Sequence, residues 1–194
     1  MRFAPAVLLM PALALAACSS PVPATPDSAW IVNMTGGTGC TLGDSMIGFG
    51  DSNIDPNAIN TRVTDGEVVM SSGDTASVTC AVIPLSAGGF EVEAQTAIGA
   101  DSLLVNIPSI STGASKATPA AGTVTYQSSA TVQPFSGPCN FYFIANTNEG
   151  VAAGKFWSAF ACTELTDGNS NPPSTCPVVE SYFAVESCGT TPIF

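Results

Sequence analysis

Histidine is absent from the 194 residues. That removes the commonest general base and metal ligand, so Ser-His-Asp and Cys-His nucleophile pairs are impossible. A Ser-Lys pair would need Lys116 or Lys155 buried beside a serine, and Lys116 lies in STGASKATPAAG, a loop of small residues that leaves a lysine in water. Positive charge is nearly absent as well. Lys and Arg number four against fifteen Asp and Glu, for a formal net charge of −11. Nucleic acid needs clustered Lys and Arg to displace its counterions, and anionic headgroups need them for electrostatic docking; the composition argues against both partners. The N-terminal apolar stretch falls short of the about 20 residues that cross a bilayer, and Pro5 and Pro11 interrupt it. No two cysteines are spaced C-x-x-C, which with the missing histidine argues against zinc and against a redox pair. No long stretch has helical periodicity free of breakers, and no internal repeat is visible.

What is present begins with seven cysteines, an odd number. Residues 1–17 have the parts of an export signal: Arg2 as the positive start, Phe3–Met10 with Leu13–Leu15 as a short apolar region, then small Ala16 and Ala17. Leu15-Ala16-Ala17-Cys18 resembles the lipobox of bacterial lipoproteins. The resemblance implies that signal peptidase II cuts before Cys18 and that the Cys18 thiol carries diacylglycerol, with a further acyl chain such as palmitate on the new amino group. A thioether also removes the hazard of a free exported thiol, and each buried methylene contributes about 0.8 kcal/mol, so two or three chains anchor permanently. In those lipoproteins the residue after the cysteine helps sort the product. Ser19, rather than aspartate, implies the outer membrane, facing either the periplasm or the cell surface.

The other six cysteines are Cys40, Cys80, Cys139, Cys162, Cys176 and Cys188. An even count in an exported chain implies three disulfides, with every connectivity open. Ser19–Ser28, SSPVPATPDS, is a Pro- and Ser-rich tether that begins at the lipidated residue. From Ala29 to Phe194 the chain reads as one domain of short β-rich runs between Gly, Pro, Asn and Asp clusters. The runs include AWIVNM, SMIGFG, TRVTDGEVVM with the turn dipeptide Asp65-Gly66, ASVTCAVIP, GFEVEAQTAI, SLLVNIPSI, GTVTYQSSATVQPF, CNFYFIA, GKFWSAFACTEL and CPVVESYFAVES. Phe90, Val92 and Ala94 alternate with Glu91, Glu93 and Gln95, the period that buries one face of an antiparallel sheet. The expectation is an all-β, disulfide-stapled antiparallel β-sandwich or open barrel of about 8–10 short strands.

Aromatics cluster late, and consecutive ones must face opposite sides of a strand, so some leave the core. Tyr142, Trp157 and Tyr182 are the candidates for an outward surface that stacks sugar or peptide. The order Ser-Val-Thr-Cys80, a G-F-x-V strand, GTVTY and GKFWSAFACT ending at Cys162 is similar to the mycobacterial 19-kDa lipoprotein antigens, over roughly Val68–Thr163. That resemblance implies a lipid-anchored β-sandwich without enzymatic activity and a Cys80–Cys162 disulfide. Cys176–Cys188 would then tie the tail to itself, leaving Cys40–Cys139.

Two further patterns bear on chemistry. Asp51, Asn53, Asp55 and Asn57 in GDSNIDPNAIN alternate like the oxygen ligands of a calcium loop, although Pro56 and Arg62 break the EF-hand pattern. Asx-turns explain the same residues. Glu91 and Glu93 share a strand face, as paired glycosidase carboxylates do, but EVEAQT matches the E-x-D-x-x-E pattern of laminarinase-type jelly rolls at one acid of three. The sequence therefore favours a non-catalytic, lipid-anchored envelope protein with an envelope protein or glycan as partner and no cofactor. The alternatives are a calcium-assisted carbohydrate- or protein-binding adhesion module and, last, a glycosidase. Lipid carriage would require an internal cavity.

Overall fold

Ala76, Val78, Cys80 and Val82 are buried while Ser77 and Thr79 between them are exposed, so the sheet sends alternate side chains to an inner and an outer face. In the computed structural model the strands are β1 (Asp27–Met34), β2 (Ser45–Phe49), β3 (Val63–Thr64), β4 (Ala76–Pro84), β5 (Phe90–Ile98), β6 (Asp101–Ile110), β7 (Ala120–Gln127), β8 (Phe135–Tyr142), β9 (Gly150–Ala152), β10 (Lys155–Asp167) and β11 (Ser174–Glu186). The structure describes residues 24–36, 39, 40, 42, 45–49, 62–69, 72–129, 131, 133–169 and 171–194. The export signal, Cys18 and the calcium-type residues Asp51, Asn53, Asp55 and Asn57 lie outside them. No described residue is helical. The expected all-β architecture holds, as a barrel.

The ladders are antiparallel and run β2-β1-β11-β10-β8-β7-β6-β5-β4, with β3 beside β1 and β9 beside β10. The open edge of β4 is met by two patches rather than along a full ladder, one from the turn after β3 and one from the segment after β11. At one place the Asp65-Gly66 turn reaches β4: Gly66 N–H donates to the Ala76 carbonyl (2.9 Å), Ala76 N–H to the Glu67 carbonyl (2.8 Å), and Asp65 Oδ1 accepts from Val78 N–H (2.8 Å). Gly66 has φ +80°, which a side chain would strain. At the other, Gly189 after β11 pairs in parallel with Ala81: Val82 N–H donates to Gly189 O (2.9 Å) and Gly189 N–H to Cys80 O (3.0 Å). Both patches fill backbone groups that an edge strand would leave open.

The barrel interior is filled by rings. Trp30 meets Tyr126 edge-on at 6.1 Å, Phe141 stacks on Phe160 at 5.5 Å, and Phe156 contacts Phe141 and Phe183 at 6.4 and 6.1 Å. All six are completely buried or within 1% of it. Burial at about 25 cal/mol per Å² makes this core the main stabilising term, with about 0.5–1.5 kcal/mol more per aromatic pair. Packing of this kind fills the space between the described strands with side chains.

The disulfides are Cys40–Cys176, Cys80–Cys188 and Cys139–Cys162. They replace all three expected pairings, Cys80–Cys162, Cys40–Cys139 and Cys176–Cys188. Strand order is the reason. β10 hydrogen-bonds to β8, which sets Cys139 directly opposite Cys162 at 4.2 Å between Cα atoms. Four strands separate β10 from β4 along the sheet, so Cys80 instead meets Cys188 through the adjacent Gly189 patch. Gly39 O accepts from Ser174 Oγ (2.7 Å) and Thr175 N–H (3.3 Å), holding Cys40 beside Cys176.

Three smaller differences arise from pairing. β1 begins at Asp27, inside the stretch read as tether, because Asp27 pairs with Glu186 and Thr64. The run GTVTYQSSATVQPF breaks after Gln127, and its last Phe opens β8 instead. The Asp65-Gly66 turn forms and is closed by Glu67 N–H donating to the Thr64 carbonyl (3.0 Å), but the chain beyond it pairs onward with β4, where the Glu67 carbonyl accepts Ala76 N–H, instead of extending a hairpin with β3.

Candidate functional site

Three pairs of neighbouring aromatics straddle the barrel wall. Phe141, Phe156 and Phe183 point into the core, so Tyr142, Trp157 and Tyr182 face the other side of the sheet, but the first two are covered there, 3% and 8% exposed, and are closed to stacking, while Tyr182 is half-buried. Register then places all three on one wall. Tyr142 pairs with Ala159, Ala159 with Tyr182 and Tyr182 with Ile31, forming one row across β8, β10, β11 and β1. The next row holds Trp157, Ala184 and Ala29. The three alanines are fully buried although they face outward, because the large neighbours lie over them.

Every described lysine and arginine reaches this wall. Lys155 Nζ lies 3.8 Å from the centroid of the Trp157 ring and Arg62 Cζ 5.3 Å from it; Lys116 Nζ is 5.7 Å from the Tyr142 ring. Each is also paired with a carboxylate: Arg62 with Asp27 (2.8 Å) and Glu186 (3.0 Å), Lys155 with Glu186 (3.0 Å), Lys116 with Glu180 (3.1 Å). Burial holds the Asp27 carboxyl above its usual range, with Arg62 pulling the other way.

Glu180 is the hub. Besides Lys116, its carboxylate accepts the Tyr142 hydroxyl at 3.2 Å and the Tyr182 hydroxyl at 3.0 Å. Its backbone carbonyl accepts Asn33 Nδ2 at 2.7 Å. The Lys116 hydrogen bond, reinforced by the two phenols, draws the Glu180 carboxyl below its ordinary value despite partial burial. Burial first and the Glu180 charge second push the Tyr142 phenol upward. Lys116 belongs to the β6–β7 loop, which is packed down through buried Ala114; the Ala114 carbonyl accepts Phe143 N–H at 3.2 Å.

Two open concavities flank this hub. One of about 490 Å³ is lined by Pro119, Asn140, Thr163, Pro177 and Val179. The other, of about 400 Å³, lies toward Phe143, Ile144 and Ala145. Both include Lys116, Tyr142 and Glu180 in their walls. The floor of the first is irregular. Between Cys162 and Leu165, β10 carries two residues opposite the single Pro177 of β11, and its register with β8 slips beside Pro138. Neither proline has an N–H to give the ladder. On β8, Gly137 lies so close to the Glu164 carbonyl that a Cβ would collide with it. Bulges of this sort re-aim side chains beside binding sites.

Next to the hub sits Glu149. One of its oxygens accepts Ile144 N–H, the other is sealed from solvent without a partner among the described residues, and burial pushes the carboxyl up to about 7. Sequence reasoning missed Glu149, Glu180 and the docking of Lys116. Only Glu180 left a trace, since it stands two residues before Tyr182 and so shares its face.

Glu91 and Glu93 lie on a different part of the barrel's outer face, on β5. Glu93 is 5% exposed because the C-terminal tail covers it, and it accepts Ile193 N–H at 2.6 Å. Thr96, at the third position of the acid pattern, points inward and donates to the Leu103 carbonyl. Among the described residues no three His, Cys, Asp or Glu side chains converge on a metal position. No protein-family model, curated protein or solved structure matches this chain.

Proposed function

We propose that this chain is an exported, lipid-anchored envelope protein that binds rather than catalyses, and that the wall around Tyr142, Tyr182, Trp157 and Glu180 is its contact surface. One observation carries the second half: the three strand aromatics that face away from the core, half-buried Tyr182 beside covered Tyr142 and Trp157, and all described cations gather on one wall of a barrel that is otherwise acidic. The anchor rests on Leu15-Ala16-Ala17-Cys18, and three disulfides fit an oxidising compartment outside the cytoplasm. Ser19 favours the outer membrane.

The carboxyls do not assemble a hydrolytic pair. A raised and a lowered carboxyl flanking a groove is the glycosidase pattern, and Glu149 and Glu180 are shifted in those directions. Yet Glu149 turns one oxygen onto its own loop and buries the other, so the proton it holds is out of a ligand's reach. Glu93 is likewise committed to the tail.

Two measurements test the proposal. Mass spectrometry of the N-terminal peptide should show the diacylglycerol and acyl mass at Cys18, and Cys18→Ser should leave the membrane fraction; an unmodified Cys18 in the native chain overturns the anchor. A photo-crosslinking residue at Tyr182 should give adducts in intact cells, whereas one at exposed Gln95 on β5 should not. Equal labelling, or none at Tyr182, overturns the contact surface.

A further inference from the structure

We infer that the ligand of this wall is a neutral, linear polysaccharide, lying along both concavities past the Lys116–Glu180 bridge. The inference rests on the wall being the contact surface, and it names what the surface holds.

The first argument concerns backbone. An extended peptide commonly binds by adding a strand to a free edge. Here β10 lies between β8 and β11, and β11 between β10 and β1, so the wall has no edge to extend. Recognition must come from side chains across a sheet face. The second concerns shape. Pro119, Pro177 and Val179 present C–H surface, while Asn140, Thr163 and Glu180 present hydrogen-bonding groups around it. A pyranose has the matching division, with C–H faces that settle on apolar or ring surface and hydroxyls at its edge that need donors and acceptors. Glu180 has its carboxylate already held in place by three donors, so a sugar hydroxyl meets an oriented acceptor at little entropic cost.

Charge decides between neutral and ionic chains. The molecule carries −11, which repels a polyanion. The three cations that would attract one are each neutralised by Asp27, Glu180 or Glu186 at 2.8–3.1 Å. The same pairing leaves those carboxylates without net charge to offer a cationic chain. Extent decides between one sugar and several. The concavities, about 490 and 400 Å³, share three wall residues and so lie side by side across the hub, within reach of one extended chain, and each alone falls in the ~300–1,000 Å³ range of small-molecule sites.

The test is calorimetric titration of the intact lipidated protein, in a detergent without a sugar headgroup. The probes are monomers and longer oligomers of β-1,4-glucose, α-1,4-glucose, β-1,4-mannose and β-1,4-N-acetylglucosamine, with oligogalacturonate and a proline-rich peptide for comparison. At least one neutral series should saturate, with affinity rising about tenfold or more from monomer to oligomer as the second concavity fills. Glu180→Gln should weaken it about tenfold, the loss of a charge-assisted hydrogen bond. Thr163→Arg, at an exposed floor position, should abolish it, while Gln95→Arg leaves it unchanged. Failure of every neutral series overturns the inference, as does binding indifferent to Glu180→Gln and Thr163→Arg. Oligogalacturonate or peptide binding that Thr163→Arg blocks also overturns it, but keeps the contact surface, as would Tyr182 crosslinks without any glycan titration. Absence of both titration and crosslinks overturns the two together.

Discussion

Glu149 is the residue whose ionisation works most clearly against the fold. Its carboxyl is raised from 4.5 to about 7 by burial, with the Ile144 N–H opposing and the Glu180 charge adding to the rise. The folded state therefore holds the proton more tightly than the unfolded chain. Its contribution to stability is full below pH 4.5 and is lost as pH rises from there through about 7. Glu180 is shifted the opposite way: what it contributes is present above 4.5 and fades as pH falls below it. Urea melts across this range should show native stability declining between pH 5 and 7 relative to Glu149→Gln, in which that slope is absent; parallel curves would refute the assignment. Ser158 offers a second case. It faces the core opposite Phe183, is 2% exposed, and its hydroxyl has no partner among the described residues. Ser158→Ala should raise stability by about 1 kcal/mol at unchanged urea slope, since an unsatisfied buried hydroxyl costs more than a methyl. At this scale much of the site was legible. Consecutive aromatics announced that Tyr142 and Trp157 would oppose Phe141 and Phe156, because strand geometry permits nothing else. That all of them share a wall was not legible, because it depends on register between β8, β10 and β11. Lys116 meeting Glu180 across 64 positions left no sign at all.

Strands were legible wherever alternation ran long, as in β4 and β5, whose observed limits match the runs ASVTCAVIP and, within a residue, GFEVEAQTAI. Short pieces such as β9, three residues held only by β10, carry too little pattern to read. Connectivity was the larger loss. Cysteine pairing depends on which strands become neighbours, and β8 beside β10 cannot be inferred from either one. The resulting bridges differ in what they close. Cys139–Cys162 ties two strands that already share a ladder, 23 residues apart, whereas Cys80–Cys188 spans 108 residues and Cys40–Cys176 spans 136. Chain-entropy estimates put the first at about 3 kcal/mol and the longer two at about 5 kcal/mol. Single Cys-pair-to-Ala variants should therefore rank with Cys139/Cys162 the mildest in guanidinium melts. Cys80/Cys188 should in addition speed amide exchange at Val82 and Gly189, because their N–H bonds to the Gly189 and Cys80 carbonyls close the seam only while the tail is held. Slow exchange there after removal of the bridge would mean that the patch, not the disulfide, closes the barrel.

As a whole the molecule is an acidic barrel with a neutral wall. The described cations, Arg62, Lys116 and Lys155, all lie where Asp27, Glu180 and Glu186 neutralise them, so the remaining acids face no counter-charge from the protein. Such an excess keeps an anchored domain soluble and clear of anionic membrane, but it also burdens the compact state with self-repulsion. Two effects of salt then compete. Screening weakens the ion pairs, yet these are partly exposed and exposed pairs contribute about 0–1 kcal/mol each; Lys116–Glu180, with the lysine side chain 75% exposed, belongs at the low end. Screening also relieves repulsion spread over the whole surface, with the Debye length falling to about 8 Å at physiological ionic strength. Repulsion involves many more pairs, so it wins. The melting midpoint in sodium chloride should rise from very low salt toward physiological strength, and Glu91→Gln, a half-exposed acid on β5 away from the wall, should flatten that rise while raising the low-salt midpoint. A midpoint that falls with salt would show instead that the Arg62 and Lys155 pairs over Trp157 hold the wall more strongly than exposed pairs do. It would also recast the neutral wall as a stabilising element of the barrel in its own right.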